Sequence, residues 1–546
     1  MSEARPNSRD LRELRSQQGI VIRAAPTYSL FDTIRLVHKG VMVSYDYEVA
    51  VIGCGPVGAT ALALLGRAGI SAIGIEREAA TWPHARAVHF DGETLRTLQA
   101  LGIGERASAI CEPMTEFRME NEAGEIIFEL PTGQFGTQAW HDDLMFHQPD
   151  MEALLREELE RHPKVRLCSG RTLLDFTQDS DAVRCRVENA DGATEFITAR
   201  WMIACDGANS PVRRQLGVET EKLGSDDPWL VVDGLLHGGP GLPGTMAFLG
   251  HHSRPGLWVR LPGDRVRMEF KVMPGDDPAE IVTRSAIERI SRGVLSVTNF
   301  EPDRIAIYTF RARVAEQWRV GNVFLAGDAA HQAPPLWGQG LCAGMRDVAN
   351  LAWKLKAVAR GTAAPTLLDT YQSERLPHAR YWVEKAATMA HLVQTTDPAT
   401  AAGRDAHIRS HPQDVYPPLP TLGPGLHAGP DDPNAGHLSR QPMLADGTRL
   451  DDIVGARFLL ATTAELFAGL PEDRRIEVEA NPEIVVLTNP EQVRELLTAV
   501  DSHAVVVRPD RYVLGAADTA TRLAELLTMI PALTAAPPTP AAPVVA

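Results

Sequence analysis

Gly53-Cys54-Gly55-Pro56-Val57-Gly58 has the glycine spacing with which a polypeptide holds a diphosphate. It follows the β-prone run Tyr47-Glu48-Val49-Ala50-Val51-Ile52 and leads into Val57 to Ala68, which has the small and apolar residues of a buried helix. In such a strand, turn and helix, Gly53 permits the turn and Gly55 lets a pyrophosphate approach the backbone. Gly58 lets helix and strand pack closely. The diphosphate then sits on the unpaired N–H groups of the helix N-terminus, next to Pro56 and Val57. Pro56 fits there because the first helical turn has no amide partner to lose. A second strand, Ser71 to Ile75, ends in Glu76, 18 residues after Gly58, where the acid that takes the ribose hydroxyls of an adenosine is expected. Arg77 follows as a further candidate contact. The chemistry of this unit is dinucleotide binding.

Two later segments extend it. Cys205-Asp206-Gly207 follows the strand Arg200-Trp201-Met202-Ile203-Ala204 and precedes a helix start at Ser210-Pro211. An Asp-Gly turn is ordinary loop chemistry alone, but here Asp206 can meet the diphosphate of a bound cofactor or an incoming nicotinamide. Gly327-Asp328 lies at the end of the strand Asn322-Val323-Phe324-Leu325-Ala326, with Asp328 placed for a ribityl hydroxyl of a flavin. The stretch Pro334 to Gly344 then opens a helix running Met345 to Ala359. Its free N–H groups and dipole would stabilise negative charge on a reduced flavin. Pro335, Gly338, Gly340, Leu341 and Cys342 are the candidate contacts of that loop. Arg86, at a helix entrance, is a candidate for the same cofactor, and Gln148 begins another amphipathic helix. The order of the segments points to an FAD enzyme that takes electrons from NADH or NADPH and uses oxygen.

Gly239-Pro240-Gly241-Leu242-Pro243-Gly244 and Gly423-Pro424-Gly425-Leu426-His427-Ala428 also satisfy glycine spacings, but proline interrupts each and no helical pattern follows. They are loops. Without a second dinucleotide domain, the nicotinamide must dock transiently over the flavin.

The chain of 546 residues has room for roughly two to four domains. A net charge of −16 and a pI of 5.6 argue against nucleic acid or an anionic membrane as partner. Six scattered cysteines offer no metal-ligand spacing and read as reduced thiols. No apolar run approaches the roughly 20 residues that span a bilayer, and no signal h-region opens the chain, so a cytoplasmic location is expected. The arginine-containing first 44 residues read as a flexible N-terminal extension. It is either a targeting arm or a stretch upstream of a natural start at Met42. The Ala/Pro-rich residues 531–546 read as a disordered tail.

In order and spacing the three segments resemble the single-component flavoprotein aromatic hydroxylases typified by para-hydroxybenzoate hydroxylase, over roughly Tyr45 to Lys385. Pro83-His84-Ala85-Arg86-Ala87-Val88, Trp229-Leu230-Val231-Val232-Asp233 and the stretch Gly338 to Leu355 resemble the 3-(3-hydroxyphenyl)propionate hydroxylase branch. The resemblance implies an α/β architecture. A Rossmann-like FAD-binding domain (45–220 and 301–385) is interleaved with a mixed β-sheet substrate domain (mainly 221–300). A linker (386–440) and a C-terminal thioredoxin-like domain (441–530), here without CxxC, follow. It implies hydroxylation of a phenol ortho to its hydroxyl through a flavin C4a-hydroperoxide, with a 3-(3-hydroxyphenyl)propionate-like substrate. A homodimer is a possibility.

The resemblance also matches Gly53, Gly55, Gly58, Glu76, Arg86, Gln148, Asp206 and Asp328 to FAD contacts, and Pro334 and Gly340 to Cys342 to the flavin-ring loop. Many relatives have asparagine at the position of Cys342. Asp91 and Pro334 are the implied catalytic residues, Asp91 as phenol-activating base, although Asp91 before Glu93-Thr94-Leu95 equally suits a helix N-cap. A substrate carboxylate would need a cation, for which the arginines between His251 and Phe270 are candidates. The alternatives are a tailoring hydroxylase of a polycyclic or heteroaromatic phenol, an FAD-dependent oxidase or reductase, and a flavin-binding scaffold.

Overall fold

The strand Tyr47–Ile52 is buried on both faces from Glu48 onward, as expected of a near-continuous apolar run inside a parallel sheet. A computed structural model of the protein describes residues 34–38, 41–237, 242, 244–294, 300–415 and 417–534. In it this strand lies at the centre of an eight-stranded mixed sheet, ordered Val165–Ser169, Ala72–Glu76, Tyr47–Ile52, Thr194–Ala204, Val183–Glu188 and Thr172–Gln178. The first four strands run parallel, the last two pair antiparallel, and Val323–Leu325 adds to Thr194–Ala204 in parallel. The ends of Tyr47–Ile52, Thr194–Ala204 and Val323–Leu325 therefore fall side by side, through pairs such as Ile52 with Ala204 and Ala204 with Leu325. All three sequence segments begin there. The helix Pro56–Arg67 packs on the sheet and against the helices Gln148–Leu159 and Gln339–Ala359.

The last of these helices starts earlier than the expected Met345. Gly338 adopts a left-handed conformation (φ +63°) after a 3₁₀ turn, Pro335–Trp337, so the chain turns directly into a helix at Gln339. The glycine-rich stretch 340–344 is the first turn itself.

A second, seven-stranded sheet is ordered Phe300–Phe310, Asp227–Leu236, Arg265–Lys271, Gly256–Arg260, Met246–Gly250, Glu116–Asn121 and Ile126–Pro131. It takes in strands on both sides of the 221–300 segment in sequence. Period-two alternation divides its faces. Leu230, Val232, Trp258, Met268 and Phe270 pack into one core with Ile281 and Ile287. Phe117, Phe248, Leu257 and Val259 face the opposite way, toward Leu336 and Met389.

A four-stranded C-terminal sheet runs Ile484–Leu487, Phe458–Thr462, Ala504–Val507 and Val513–Ala517. Its first two strands are parallel and the remaining pairs antiparallel. The linker region holds the end of the helix Thr370–Val393 and the whole helix Pro398–Ser410. Residues 423–428 are irregular chain, as read, whereas most of the 239–244 motif falls outside the described residues. Of the N-terminal extension, Ile34–His38 and Val41–Tyr45 form an antiparallel hairpin. Of the tail, Pro531–Leu533 forms a 3₁₀ turn, and 535–546 fall outside the described residues. Among the described residues no helix is long and apolar enough to cross a membrane.

The C-terminal unit is tied to the first sheet's layer by buried charge. Arg508 donates to Glu374 at 2.9 and 2.8 Å and to Asp510. Lys354 reaches the same Glu374 at 2.7 Å, and Asn350 bridges Glu374 and Asp510. Burial alone would raise the Glu374 carboxyl, but Arg508 and Lys354 hold it far below the usual carboxylate range. Replacing Arg508 by alanine leaves buried carboxylates short of a cation, so a loss of about 3–5 kcal/mol is expected. The check is the thermal unfolding midpoint, and an unchanged midpoint would show that the cluster contributes nothing.

Candidate active site

Gly53 has φ +82°, and a Cβ on it would lie 2.5 Å from the carbonyl oxygen of Cys205. A Cβ on Gly58 would lie 2.0 Å from the carbonyl oxygen of Gly53. Both clashes are with backbone, so neither position accepts a side chain without moving the turn. A Cβ on Gly55, Gly207 or Gly340, by contrast, would meet nothing within 4 Å, so backbone on three sides of one space is bare. Gly55, Pro56, Val57 and Gly58 line a cavity of about 330 Å³ together with Arg86, Gln148, Gly207, Asp328, Pro335, Gly338, Gly340 and Leu341. Its far walls come from the second sheet and the loop after Gln332: Phe117, Met246, Leu257, Val259, Leu336 and Trp337.

The remaining sequence candidates surround this cradle in several ways. Glu76 stands at its strand end, and its carboxylate braces the turn by accepting the N–H of Cys54 at 2.7 Å. Gln148 is buried and accepts the N–H groups of Arg86 and Ala87 at 2.9 and 2.8 Å, fixing the chain that carries Arg86. Asp206 accepts the N–H of Val212 at 3.0 Å while its Oδ1 is buried without a protein partner. Burial pushes the carboxyls of both Asp206 and Asp328 up. Gly327 has φ +58°, and its N–H donates to Asp347 at 3.0 Å. An orphaned carboxylate oxygen beside bare backbone is a site shaped for a ligand with hydroxyls and phosphates, and the residues fit a dinucleotide.

Four candidates are placed elsewhere. Arg77 is exposed and pairs with Glu78. Cys342 is buried within its helix, its thiol directed to the carbonyl of Gly338, and it does not line the cavity. Pro334 is absent from the cavity lining and sits by Trp229 and Phe310 on the other side of the loop. Asp91 is the N-cap of the helix Gly92–Ala100, accepting from the Thr94 N–H and hydroxyl at 2.9 Å each. Its second oxygen is taken by Arg346 and by Gln339. Burial alone would raise this carboxyl, but the Arg346 guanidinium holds it below the usual range. With both oxygens committed and no place in the lining, Asp91 is a structural cap.

What the sequence reading missed is titratable and faces the cavity. The short strands His89–Asp91 and Asp143–Phe146 pair so that His89 lies opposite Met145, one step from Asp143 on the same face. His89 Nε2 and Asp143 Oδ1 are 2.9 Å apart, and both residues line the cavity. Burial would lower the imidazole's pKa, but the hydrogen bond and charge of Asp143 outweigh it and raise it. From the second sheet, Arg267, one of the arginines already named for a substrate carboxylate, and Glu269, which was not foreseen, alternate onto the cavity face, opposite Val259 and Leu257. Burial pushes the Glu269 carboxyl up to about 7, against the pull of Arg267. Asp347, also missed, is fully buried and joins Gly327 to His331 and Arg375 at 3.0, 2.7 and 3.1 Å. Alternation in Arg265-Val266-Arg267-Met268-Glu269 was the available signal for the sheet pair. For His89 and Asp143 there was none.

A bare-backbone dinucleotide cradle opening into an apolar cavity roofed by a second sheet is the layout of a flavin-dependent aromatic monooxygenase. The family model described as FAD binding domain matches residues 46–386, and the chain belongs to that family. A probable NADH-specific resorcinol 4-hydroxylase of Rhodococcus jostii (strain RHA1) is 32% identical over 522 residues, covering 91% of this chain and 97% of the relative. A 3-(3-hydroxy-phenyl)propionate/3-hydroxycinnamic acid hydroxylase of Escherichia coli O8 (strain IAI1) is 30% identical over 540 residues, covering 89% and 96%. The crystal structure of the flavin-dependent monooxygenase PieE with FAD and substrate shares the fold. Its TM-score is 0.75 at 22% identity, covering 89% of this chain and 99% of that one. The cofactor is FAD, with NAD(P)H as cosubstrate.

Gly58→Ala should yield folded protein without flavin, because the new methyl occupies the carbonyl space of Gly53. Circular dichroism and the flavin absorbance of the purified protein check this, and a flavin-loaded variant would show the turn to be adaptable.

Proposed function

We propose that the enzyme uses NAD(P)H and O₂ to hydroxylate a phenol ortho to its hydroxyl. The carrying observation is the joining of the FAD cradle to an apolar cavity that ends in the Asp143–His89 pair. In this reading the turn at Gly55 and Gly58 and the N-terminus of Pro56–Arg67 hold the diphosphate, and Glu76 and Arg86 attend the adenosine side. Asp328 takes a ribityl hydroxyl, and the first amides of Gln339–Ala359 face the flavin ring. Bound FAD supplies the route by which nicotinamide electrons activate oxygen. The protein positions the ring, excludes water with Phe117, Leu336 and Trp337, and favours the phenolate.

That last task passes from Asp91 to Asp143. Its carboxylate accepts the phenolic proton's hydrogen bond, and His89 is the positioning residue that holds it. The substrate in this reading is a single-ring phenol rather than a polycyclic one. The named relatives, acting on resorcinol or on 3-(3-hydroxyphenyl)propionate and 3-hydroxycinnamate, support the same size class. The C-terminal unit is read as thioredoxin-like, supported by its strand order and by one antiparallel strand between parallel ones. Homodimerisation belongs to the same reading.

NADH and NADPH oxidation should accelerate with 3-(3-hydroxyphenyl)propionate, 3-hydroxycinnamate or a simple phenol, giving a catechol in proportion to the reductant consumed. Product analysis against hydrogen peroxide tests this. Peroxide alone, with or without phenol, would sink the hydroxylase reading in favour of an oxidase.

Asp143→Asn should lower kcat by roughly 10²-fold or more, while phenol affinity, followed by titration, changes far less. Wild-type kcat in this variant would remove Asp143 from the role.

A further inference from the structure

The C-terminal unit carries no CxxC, and the residues that line the cavity all precede it in the chain. One of its turns nevertheless reaches the cavity wall through buried side chains. The strands Ala504–Val507 and Val513–Ala517 are joined by Arg508-Pro509-Asp510-Arg511-Tyr512. The N–H of Arg511 closes the turn on the carbonyl of Arg508, and the N–H of Arg508 on that of Tyr512, each at 2.9 Å. Arg511 has φ +73°, a left-handed conformation that a residue with a Cβ adopts at a cost. The turn so made sends Arg508 and Asp510 to the Glu374 cluster and Tyr512 to Glu93.

Tyr512 is 3% exposed, and its hydroxyl donates its one proton to Glu93 Oε1 at 2.9 Å. His378 Nε2 lies 3.2 Å from the same hydroxyl. Burial holds that imidazole well below its usual pKa, so it is neutral and donates from Nε2. The hydroxyl is thereby fixed between two helices of the earlier part of the chain, Gly92–Ala100 and Thr370–Val393. From Glu93 the connection runs on. Its Oε2 accepts from Arg346 Nε at 2.5 Å, and Arg346 Nη1 donates to Gln339 Oε1 at 2.9 Å. Arg346 Nη2 donates to Asp91, and Gln339 Nε2 reaches the same carboxylate at 3.3 Å. Both ends of the Gln339 amide are therefore held, the oxygen by a cation and the nitrogen by an anion. Gln339 lines the cavity and is the first residue of its helix.

We propose that the C-terminal unit is a working part of the flavin site: Tyr512 is a positioning residue that, through Glu93 and Arg346, fixes Gln339 and the first turn of Gln339–Ala359. The inference rests on the reading that sets the flavin ring at that turn, and is independent of what the flavin then oxidises. Without the hydroxyl, Glu93 Oε1 loses its donor, and the carboxylate that orients Arg346 is held at one oxygen instead of two.

The test uses the flavin-loaded protein and Tyr512→Phe, which removes one oxygen and keeps the ring. Val505→Ala is the comparison. Val505 is 1% exposed in the C-terminal unit's own core with Leu459, Val493 and Leu496, so its truncation weakens the unit without touching the connection. Amide hydrogen exchange across residues 338–348 should be about tenfold faster in Tyr512→Phe, while 350–359 exchange as in the wild type. The midpoint potential of the bound flavin should become more negative, by about threefold in the reduced-to-oxidised ratio or ~14 mV, because a loosened helix start stabilises the reduced ring less. Val505→Ala should move neither quantity. Equal shifts in the two variants, or none in Tyr512→Phe, overturn the proposal. Gly340→Ala separates that failure from a wrong placement of the ring. A Cβ there meets no protein atom within 4 Å, so its methyl alters the flavin spectrum only if the ring lies on that turn. A silent Gly340→Ala overturns the placement and the inference together. A spectral change in Gly340→Ala beside an unmoved Tyr512→Phe overturns the inference alone.

Discussion

One helix carries Arg346, Asp347, Asn350 and Lys354 into the protein interior, and none of these side chains is tolerable there alone. Each obliges a neighbouring element to supply a partner. Arg346 takes Asp91 and Glu93 from the helix Gly92–Ala100 and its cap. Asp347 takes the Gly327 amide, His331 and Arg375. Lys354 takes Glu374 from the helix Thr370–Val393. Because the same helix begins at the turn Pro335–Gly338 on the cavity wall, the pairing that makes it buriable also sets where its first amides point. The cradle is thus held from behind by charge, while its front is bare backbone.

The second sheet works by a different constraint. Its inner strands are buried on both faces, so each of their residues must suit either the core under Ile281 and Ile287 or the cavity. A pleated strand has no third option. Polar residues in the cavity-facing register become site residues by position, which is why Arg267 and Glu269 arrive there together. A slip of one residue would bury both in the opposite core and turn Met268 toward the cavity.

The parts legible in the sequence were those whose physics is local. Gly53, Gly55 and Gly58 declare a turn within six residues, and Asp206 and Asp328 each sit directly after a recognisable strand. Asp91 shows the limit. Its position after the arginine motif suggested a base, but whether a carboxylate is free depends on Arg346, 255 residues away. Its cap geometry, the local property, was legible and correct. The place of Pro334 beside Trp229 and Phe310 was equally illegible, since which side of a loop a residue faces is decided by what packs on it. The start of Gln339–Ala359 was misread because glycines usually argue against helix. The left-handed turn at Gly338 lets the helix begin among them. His89 and Asp143 meet only through strand pairing across 54 residues, which no spacing in the chain announces.

Arg508 and Asp451 give the last part of the chain a hold on its beginning. Arg96 is made 355 residues before the Asp451 that neutralises it, and Glu374 is made 134 residues before Arg508. Until those residues are made, Arg96 lacks a carboxylate to neutralise it, and Glu374 has one cation, Lys354, where the finished protein gives it two. The surroundings of these two buried charges are therefore completed by residues made late. The flavin site is completed by residues of which the ribosome makes some first and their supports last.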